Sequence, residues 1–423
     1  MLQVNVLRQN PEKAKERLAI RNFKQPDLVD EIILLDDERK KLQAGFDNIQ
    51  SKINAASKEI GKLMGQGKKD EAEEMKTSVA AFKLQVAALS DKMNETEKIL
   101  FYKLVQLPNL PSEKVPAGKT PEHNVVIREA GEKPILYANA QPHWELAKKY
   151  SLIDFELGTK ITGSGFPVYT GRGAKLQRTL IQYFLDYNAA AGYREIVPPF
   201  VVNEDSAFGT GQLPDKEGQM YFVNEDKLYL IPTSEVPLTN IYRDVIVQED
   251  ELPIKMTAYS PCFRREAGSY GKDVRGLNRL HQFEKVEIVQ ITHPDKSYET
   301  LEEMVLHVEK LLQNLELPYR ILKLCGADMG FTSALTYDFE VYSTAQQRWL
   351  EVSSVSNFEN YQTNRLKCRF KDGSGKTLLA HSLNGSALAL PRIVAALLEN
   401  HQTEKGIKLP DVLHKYFGEG MIS

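Results

Sequence analysis

Between Pro261 and Glu287 the chain reads PCFRREAGSYGKDVRGLNRLHQFEKVE. Arg264 and Glu266 stand two apart, so on a strand both would face the same way. Phe283 and Glu287 stand an even number apart in a second strand-like run, and the loop between the runs is punctuated by Gly268, Gly271 and Gly276. The spacing predicts an antiparallel hairpin with one polar working face. A guanidinium fork suits a phosphate, an aromatic ring can stack on a base, and a carboxylate can hold an ammonium. One hairpin could therefore hold a nucleotide and an amine side by side.

Three further stretches offer matching chemistry. Tyr229–Glu235 is an apolar run ending in Thr233, Ser234 and Glu235. Hydroxyls and a carboxylate at a strand exit suit a small hydroxylated zwitterion, and the same residues ahead of Pro237 also suit a helix N-cap. Glu351–Asn357 sets polar side chains at alternate positions, and Glu351 and Ser354 have the oxygens that Mg²⁺ takes alongside substrate phosphates. Leu383–Arg392 reads as a small-residue turn entering a helix over Ile393–Asn400, with Pro391 tolerated at its start.

FRxE, a loop and then HQFxKVE resembles the second signature motif of class II aminoacyl-tRNA synthetases, and most of all that of the bacterial-type seryl-tRNA synthetases. That resemblance implies ATP-dependent ligation of L-serine to tRNA(Ser) through a seryl-adenylate, with tRNA(Sec) as a further acceptor where one exists. By position, Arg264 bridges the α-phosphate and the serine carboxylate, Glu266 meets the adenine amino group and Phe283 stacks on the ring. Arg265, Leu280, Val352 and Ser353 complete the ATP set, and Glu351 and Ser354 hold Mg²⁺ with ATP. Arg392 resembles the third-motif arginine that clamps the γ-phosphate, although Pro391 stands where glycine is more typical. Arg264, Glu266 and Arg392 form the catalytic set. The serine pocket is Thr233, Ser234, Glu235, Glu287, Asn384 and Ser386 together with Arg264. No zinc and no separate editing site are expected. Two other functions would leave a signature of their own. An adenylating enzyme that loads a carrier protein would normally lack a tRNA-binding arm. A non-catalytic RNA-binding paralogue would be expected to lose Arg264, Glu266 or Arg392.

Stepping outward, residues 27–105 carry apolar side chains at steps of three and four: Leu28, Ile32, Leu35, Leu42, Phe46, Ile49, Ile53, Ala56, Ile60 and Leu63, then Ala72, Met75, Val79, Phe82, Val86, Leu89 and Met93. A sustained 3.5-residue period predicts two supercoiling helices, folded back at the glycine-bearing turn Gly61–Gly67. Such a hairpin could serve dimerisation or touch a long ligand, and its tip offers Lys52, Lys58, Lys62, Lys68, Lys69 and Lys76. Seryl-tRNA synthetases carry a tRNA-gripping arm of this kind. The basic lead-in over residues 1–26 opens on Asn10-Pro11-Glu12, a helix-start pattern. Proline-rich sequence after residue 106 predicts a linker. The resemblance divides the chain into a helical tRNA-binding arm at 1–107 and a class II catalytic domain at 108–423.

Helix Ala174–Ala191, stopped by Gly192, precedes a strand over Tyr193–Pro199. That order resembles the first class II motif and implies a homodimer. Helices between antiparallel strands, without βαβ repeats or GxGxxG, argue against a dinucleotide-binding sheet. The expected class is α+β: an antiparallel sheet flanked by helices, behind a two-helix coiled-coil arm. His143 is expected to be structural. At 423 residues and net charge −3, any nucleic-acid contact must be local. Cys262, Cys325 and Cys368 form no CxxC pair, which argues against a disulfide framework or a cysteine zinc site. The N-terminal stretch lacks the apolar run of a signal peptide, and a cytoplasmic enzyme with no membrane partner is expected.

Overall fold

The computed structural model describes the chain except residues 216–217 and 267–274. It divides into two compact units, Met1–Ala19 with Phe23–Pro108 and Ile20–Asn22 with Asn109–Ser423.

In the first unit, helix Pro11–Ile20 starts as its sequence predicts, with Asn10 Oδ1 accepting from the Lys13 N–H at 3.0 Å. Two long helices follow, α1 (Leu28–Gly65) and α2 (Lys69–Leu104). Their seam buries Leu28, Ile32, Ile53 and Leu63 against Ala72, Val79, Leu100 and Leu104. Most other periodic positions are only half-buried, because two helices alone cannot enclose a thick core. Gly67 closes the turn at φ +78°, a conformation that favours glycine. Near the start of α1, burial opposes ionisation of Asp36. Hydrogen bonds from Lys40, Arg39 and Arg8 outweigh it and bring the pKa down to about 2. At the turn end, Lys62, Lys68 and Lys76 pair with glutamates three residues away. Lys52, Lys58 and Lys69 are exposed, with no ion-pair partner among the described residues.

The second unit is organised by an eight-stranded sheet: β1 (Val125–Ala130), β2 (Arg194–Glu195), β3 (Ile254–Phe263), β4 (Gln282–Thr292), β5 (Tyr319–Lys323), β6 (Leu335–Ser343), β7 (Arg348–Glu359) and β8 (His381–Ala389). The spatial order is β1-β5-β6-β7-β8-β4-β3-β2, antiparallel except where β2 joins β3. One face is covered by α3 (Gly171–Ala190), α5 (Ser297–Asn314) and α7 (Leu390–Asn400), with α4 (Glu235–Asn240) and α6 (Tyr361–Leu366) placed elsewhere. The core under those helices joins Leu180, Phe184, Val305, Val308 and Ile393 to Val286, Ile288, Ile321 and Phe339. Phe339→Ala removes a fully buried ring from mid-sheet. It should cost about 3–5 kcal/mol, read as a lowered urea midpoint at unchanged m-value.

Three sequence expectations need correction. The proline-rich stretch is no free linker. Asn109 donates from its backbone to the Phe331 carbonyl at 3.0 Å, and from its buried amide to those of Thr332 and Phe358 at 2.9 and 2.8 Å. Ser112 N–H donates to Ala334 at 2.8 Å, and Val115 is buried. Composition showed that this segment makes no ladder of its own, which is not the same as leaving it undocked. Secondly, the strand expected over Tyr193–Pro199 is only Arg194–Glu195, since Pro198 and Pro199 have no N–H to extend it. Lastly, Leu383–Ala389 is strand rather than turn, and α7 begins at Leu390 with Pro391 in its first turn.

Candidate active site

The β3–β4 hairpin forms as expected, with Phe283 opposite Cys262, Lys285 opposite Ser260 and Glu287 opposite Ala258. Directly opposed residues share a face, so Phe283, Lys285 and Glu287 stand in a row on the side away from α3. Across β8, Glu287 opposes Ser386, and Asn384 opposes Ser356 of β7. Ser354 opposes Asp338 and Glu351 opposes Glu340, with Val352 as an extra residue between the two registers. By simple alternation Glu351 and Ser354, three apart, would point to opposite faces. The bulge at Val352 resets the count and brings both to the polar face.

At the serine-like end of that face, the polar side chains are mutually bonded. Thr233 Oγ1 donates to Glu287 Oε2 at 2.9 Å and accepts from the Glu235 N–H at 3.1 Å. The helix Glu235–Asn240 has Ser234 at its N-cap with no side-chain cap bond, so the Thr233 hydroxyl braces the turn before the helix and at the same time lines the pocket. Asn384 Nδ2 donates to Glu235 Oε2 at 2.8 Å and to Glu287 Oε1 at 3.3 Å. Gln362 Nε2 donates to Glu235 Oε1 at 2.7 Å, and Lys285 Nζ lies 2.6 Å from Glu287 Oε2. Glu235 is buried, and its pKa is pushed up to about 7, first by burial and then by the charge of Glu287. Ser234 is fully buried with its hydroxyl directed at the Ala258 carbonyl, 3.5 Å away, so it supports the turn beneath the pocket.

At the hairpin mouth the Arg264 guanidinium lies 5.2 Å from the Phe283 ring centroid and makes no ion pair with any described residue. The strand ends at Phe263, which corrects the expectation that Arg264 and Glu266 sit on it together. Glu266 has φ +49° and pairs with Arg279 at 2.5 Å. Arg265 is exposed and donates its N–H to the Gln219 carbonyl at 2.9 Å. Leu280 is in the core, while Gly268 and Gly271 lie outside the described residues. Gly276 has φ +69°, and a Cβ there would meet His143 Nε2 at 2.2 Å. His143 is buried, donates from Nδ1 to Glu399 at 2.7 Å, and accepts at Nε2 from the Leu277 N–H at 2.8 Å. It anchors the return of the hairpin loop and takes no part in the polar face.

Further along the face, Arg392 donates to the carbonyls of Glu351 at 2.7 Å and Asn278 at 3.1 Å, with Glu351 Oε2 3.7 Å away. Val352 packs in the core, and Ser353 donates to the Ser386 carbonyl at 2.6 Å. Those two can present only backbone to a ligand. Burial, and then the charge of Glu351, hold the Asp338 carboxyl well above the usual range, and its Oδ1 has no hydrogen-bond partner among the described residues. Glu351, Ser354 and Asp338 offer oxygen, the ligand type of a hard cation bound chiefly through phosphates, while no cluster of three or more His, Cys, Asp or Glu side chains among the described residues could hold a metal by itself.

Sequence reasoning missed Lys285, Gln362 and Asp338. Lys285 and Asp338 were within reach of the parity argument, the first between Phe283 and Glu287, the second on the alternating run YDFEVY. Gln362 gave no local signal, because its strand-to-helix neighbours bring it to Glu235 only in three dimensions.

Comparison with known proteins follows the same lines. Residues 1–111 match the model of the seryl-tRNA synthetase N-terminal domain, and residues 221–401 match the class II core domain of G, H, P, S and T tRNA synthetases. A serine–tRNA ligase of Salinibacter ruber is 48% identical, covering 99% of this chain and 98% of its own length. One of Methylacidiphilum infernorum is 46% identical, covering 99% of both. The crystal structure of seryl-tRNA synthetase from Pyrococcus horikoshii complexed with ATP superposes with TM-score 0.93 at 33% identity, covering 100% of this chain and 99% of that one.

Proposed function

This chain belongs to the seryl-tRNA synthetase family of class II aminoacyl-tRNA synthetases, and from that premise we propose how its polar face activates L-serine with ATP and hands the seryl group to tRNA(Ser). The carboxylate-bonded, ion-paired pocket of Thr233, Glu235, Glu287 and Asn384 carries the reading, because it adjoins, on the same face, an aromatic ring and a guanidinium with no ion-pair partner among the described residues. Serine's ammonium would sit against Glu287 and Glu235, and its hydroxyl within reach of Asn384 and Ser386. Arg264 would bridge the serine carboxylate and the α-phosphate, Phe283 would stack on adenine, and Glu266 would turn from Arg279 to the adenine amino group. Arg392, drawn to Glu351 in the free site, would swing its guanidinium onto the γ-phosphate.

Serine's carboxylate then attacks the α-phosphorus, the bond to the β-phosphate oxygen breaks, and pyrophosphate leaves. The 3′-terminal adenosine hydroxyl of the tRNA takes the seryl group in the second step, releasing AMP. No side chain needs to become a nucleophile. The protein's work is positioning and neutralisation of phosphate charge. Glu351 and Ser354, with Asp338 behind Ser354, are the oxygens that would hold Mg²⁺, which supplies further charge neutralisation when bound with ATP.

The test is amino-acid-dependent ATP–pyrophosphate exchange over a panel. Serine should support it. Alanine should be slower by ~10⁴-fold or more, because it leaves buried polar groups unpaired. Exchange that favours another amino acid would sink the assignment.

The proposal extends to the remaining features. Residues 1–107 act as the tRNA-binding arm, with Lys52, Lys58 and Lys69 as phosphate contacts, and 108–423 as the catalytic domain. Exposed Val197, Phe200 and Val201 beside β2 support a homodimer through that edge. tRNA(Sec), where one exists, is included as a further acceptor of the same seryl group. No helix among the described residues is long and apolar enough to cross a membrane, and the cytoplasm is the proposed location.

A further inference from the structure

We propose that the empty serine pocket holds one proton more than the serine-bound pocket, and that Glu235 releases it when serine's ammonium docks. This rests on the serine assignment above and deepens it.

Two buried carboxylates, Glu235 and Glu287, are tied to the same Asn384 amide nitrogen. Buried like charges this close oppose joint ionisation. Among the described residues a single ammonium, that of Lys285, touches the pair, and it touches Glu287. Both oxygens of Glu235 are met instead by neutral amides, from Gln362 and Asn384. Glu287 therefore has its counter-charge within the protein and Glu235 does not.

The surroundings offer Glu235 little else. Lys285 and Glu287 face it from β4, and Arg264 faces it from the end of β3. Cys262 of β3 also faces this group of charges, with its thiol pushed up by burial. From α6 and β8 come only the neutral Gln362 and Asn384, and the Thr210 carbonyl is engaged by Gln362. The upward shift of Glu235 to about 7 agrees with the geometry.

The sign follows. Below pH 7 the free pocket keeps Glu235 neutral. A docked ammonium favours the charged form, so serine must expel the proton, and its affinity should weaken by about tenfold per pH unit below 7. Above pH 8 nothing is left to expel and the dependence should flatten. Lys285 sets the threshold: without it, no ammonium among the described residues touches either carboxylate, and only the more distant Arg264 remains.

L-serine is titrated into the full-length chain by calorimetry at pH 6 and pH 8.5, each in two buffers of different ionisation heat. Close to one proton should be released at pH 6 and almost none at pH 8.5. In Lys285→Met, release should persist to higher pH, and Lys285→Arg should restore the original profile. In ¹³C-glutamate-labelled protein, the carboxyl signal lost in Glu235→Gln should titrate near 7 and stop doing so at saturating serine. Serine heats identical in both buffers at pH 6 would overturn the inference while leaving the pocket assignment intact. An unchanged profile in Lys285→Met, or a Glu235 signal that titrates near 4.5, would overturn it too. No serine binding at any pH would overturn the assignment itself.

Discussion

Arg264→Ala should lower serine-dependent ATP–pyrophosphate exchange by ~10²-fold or more, the loss that follows removal of one preorganised donor to developing charge. Its position explains why the effect should be on chemistry rather than folding. Arg264 is only half-buried and makes no ion pair with any described residue, so its loss leaves no carboxylate stranded. The guanidinium lies against the Phe283 face, an attraction of order 0.5–1 kcal/mol at an exposed site. Thermal stability should therefore stay near wild type while exchange collapses. Arg264→Lys should recover little, because a point charge cannot span phosphate and carboxylate as a planar fork can. Near-normal exchange in Arg264→Ala would remove this residue from the reaction.

Deleting residues 30–103 should separate the two half-reactions. Lys103 reaches Glu31 at 2.5 Å, so the cut ends lie side by side and a short glycine linker can rejoin them. The eight-stranded sheet and its covering helices belong to a separate compact unit with its own core. Pyrophosphate exchange should stay within a few-fold of the full-length enzyme, while aminoacylation of tRNA(Ser) falls by orders of magnitude. Full charging by the shortened chain would instead make the long helices a device for pairing subunits. A milder version, Lys52, Lys58 and Lys69 replaced together by Ala, should weaken tRNA binding and reduce its salt dependence, since fewer counterions are released.

Period and parity account for what could be read in advance. Alternating steps of three and four located α1 and α2, because a two-helix seam has no other way to bury side chains, but the turn expected over Gly61–Gly67 is shorter, since α1 continues through Gly65. The hairpin was legible for a similar reason: Phe283 and Glu287 lie on a strand whose two-residue period is rigid. Where the chain leaves regular structure, the rule stops. Arg264 and Glu266 were placed by strand parity, yet the strand had already ended and Glu266 had turned through a positive φ. Asn384 and Ser386 looked like a turn because Asn, Gly and Ser are turn formers. They are strand because a central position between β7 and β4 satisfies their backbone on both sides. Gln362 shows the harder limit. Its role depends on a contact 127 residues away in the chain, and no local pattern encodes that.

The extra residue at Val352 has an implication for anyone redesigning this protein. Removing it would yield a flatter, more regular strand that could still pair with β6. Every side chain from Arg348 to Glu351 would nevertheless rotate by half a turn, driving Glu351 into the hydrocarbon interior and pulling its carbonyl from Arg392. Chain length between two fixed points, not the identity of any one amino acid, is here the quantity that catalysis depends on. An alignment scored by residue similarity would register so damaging a change as a single gap.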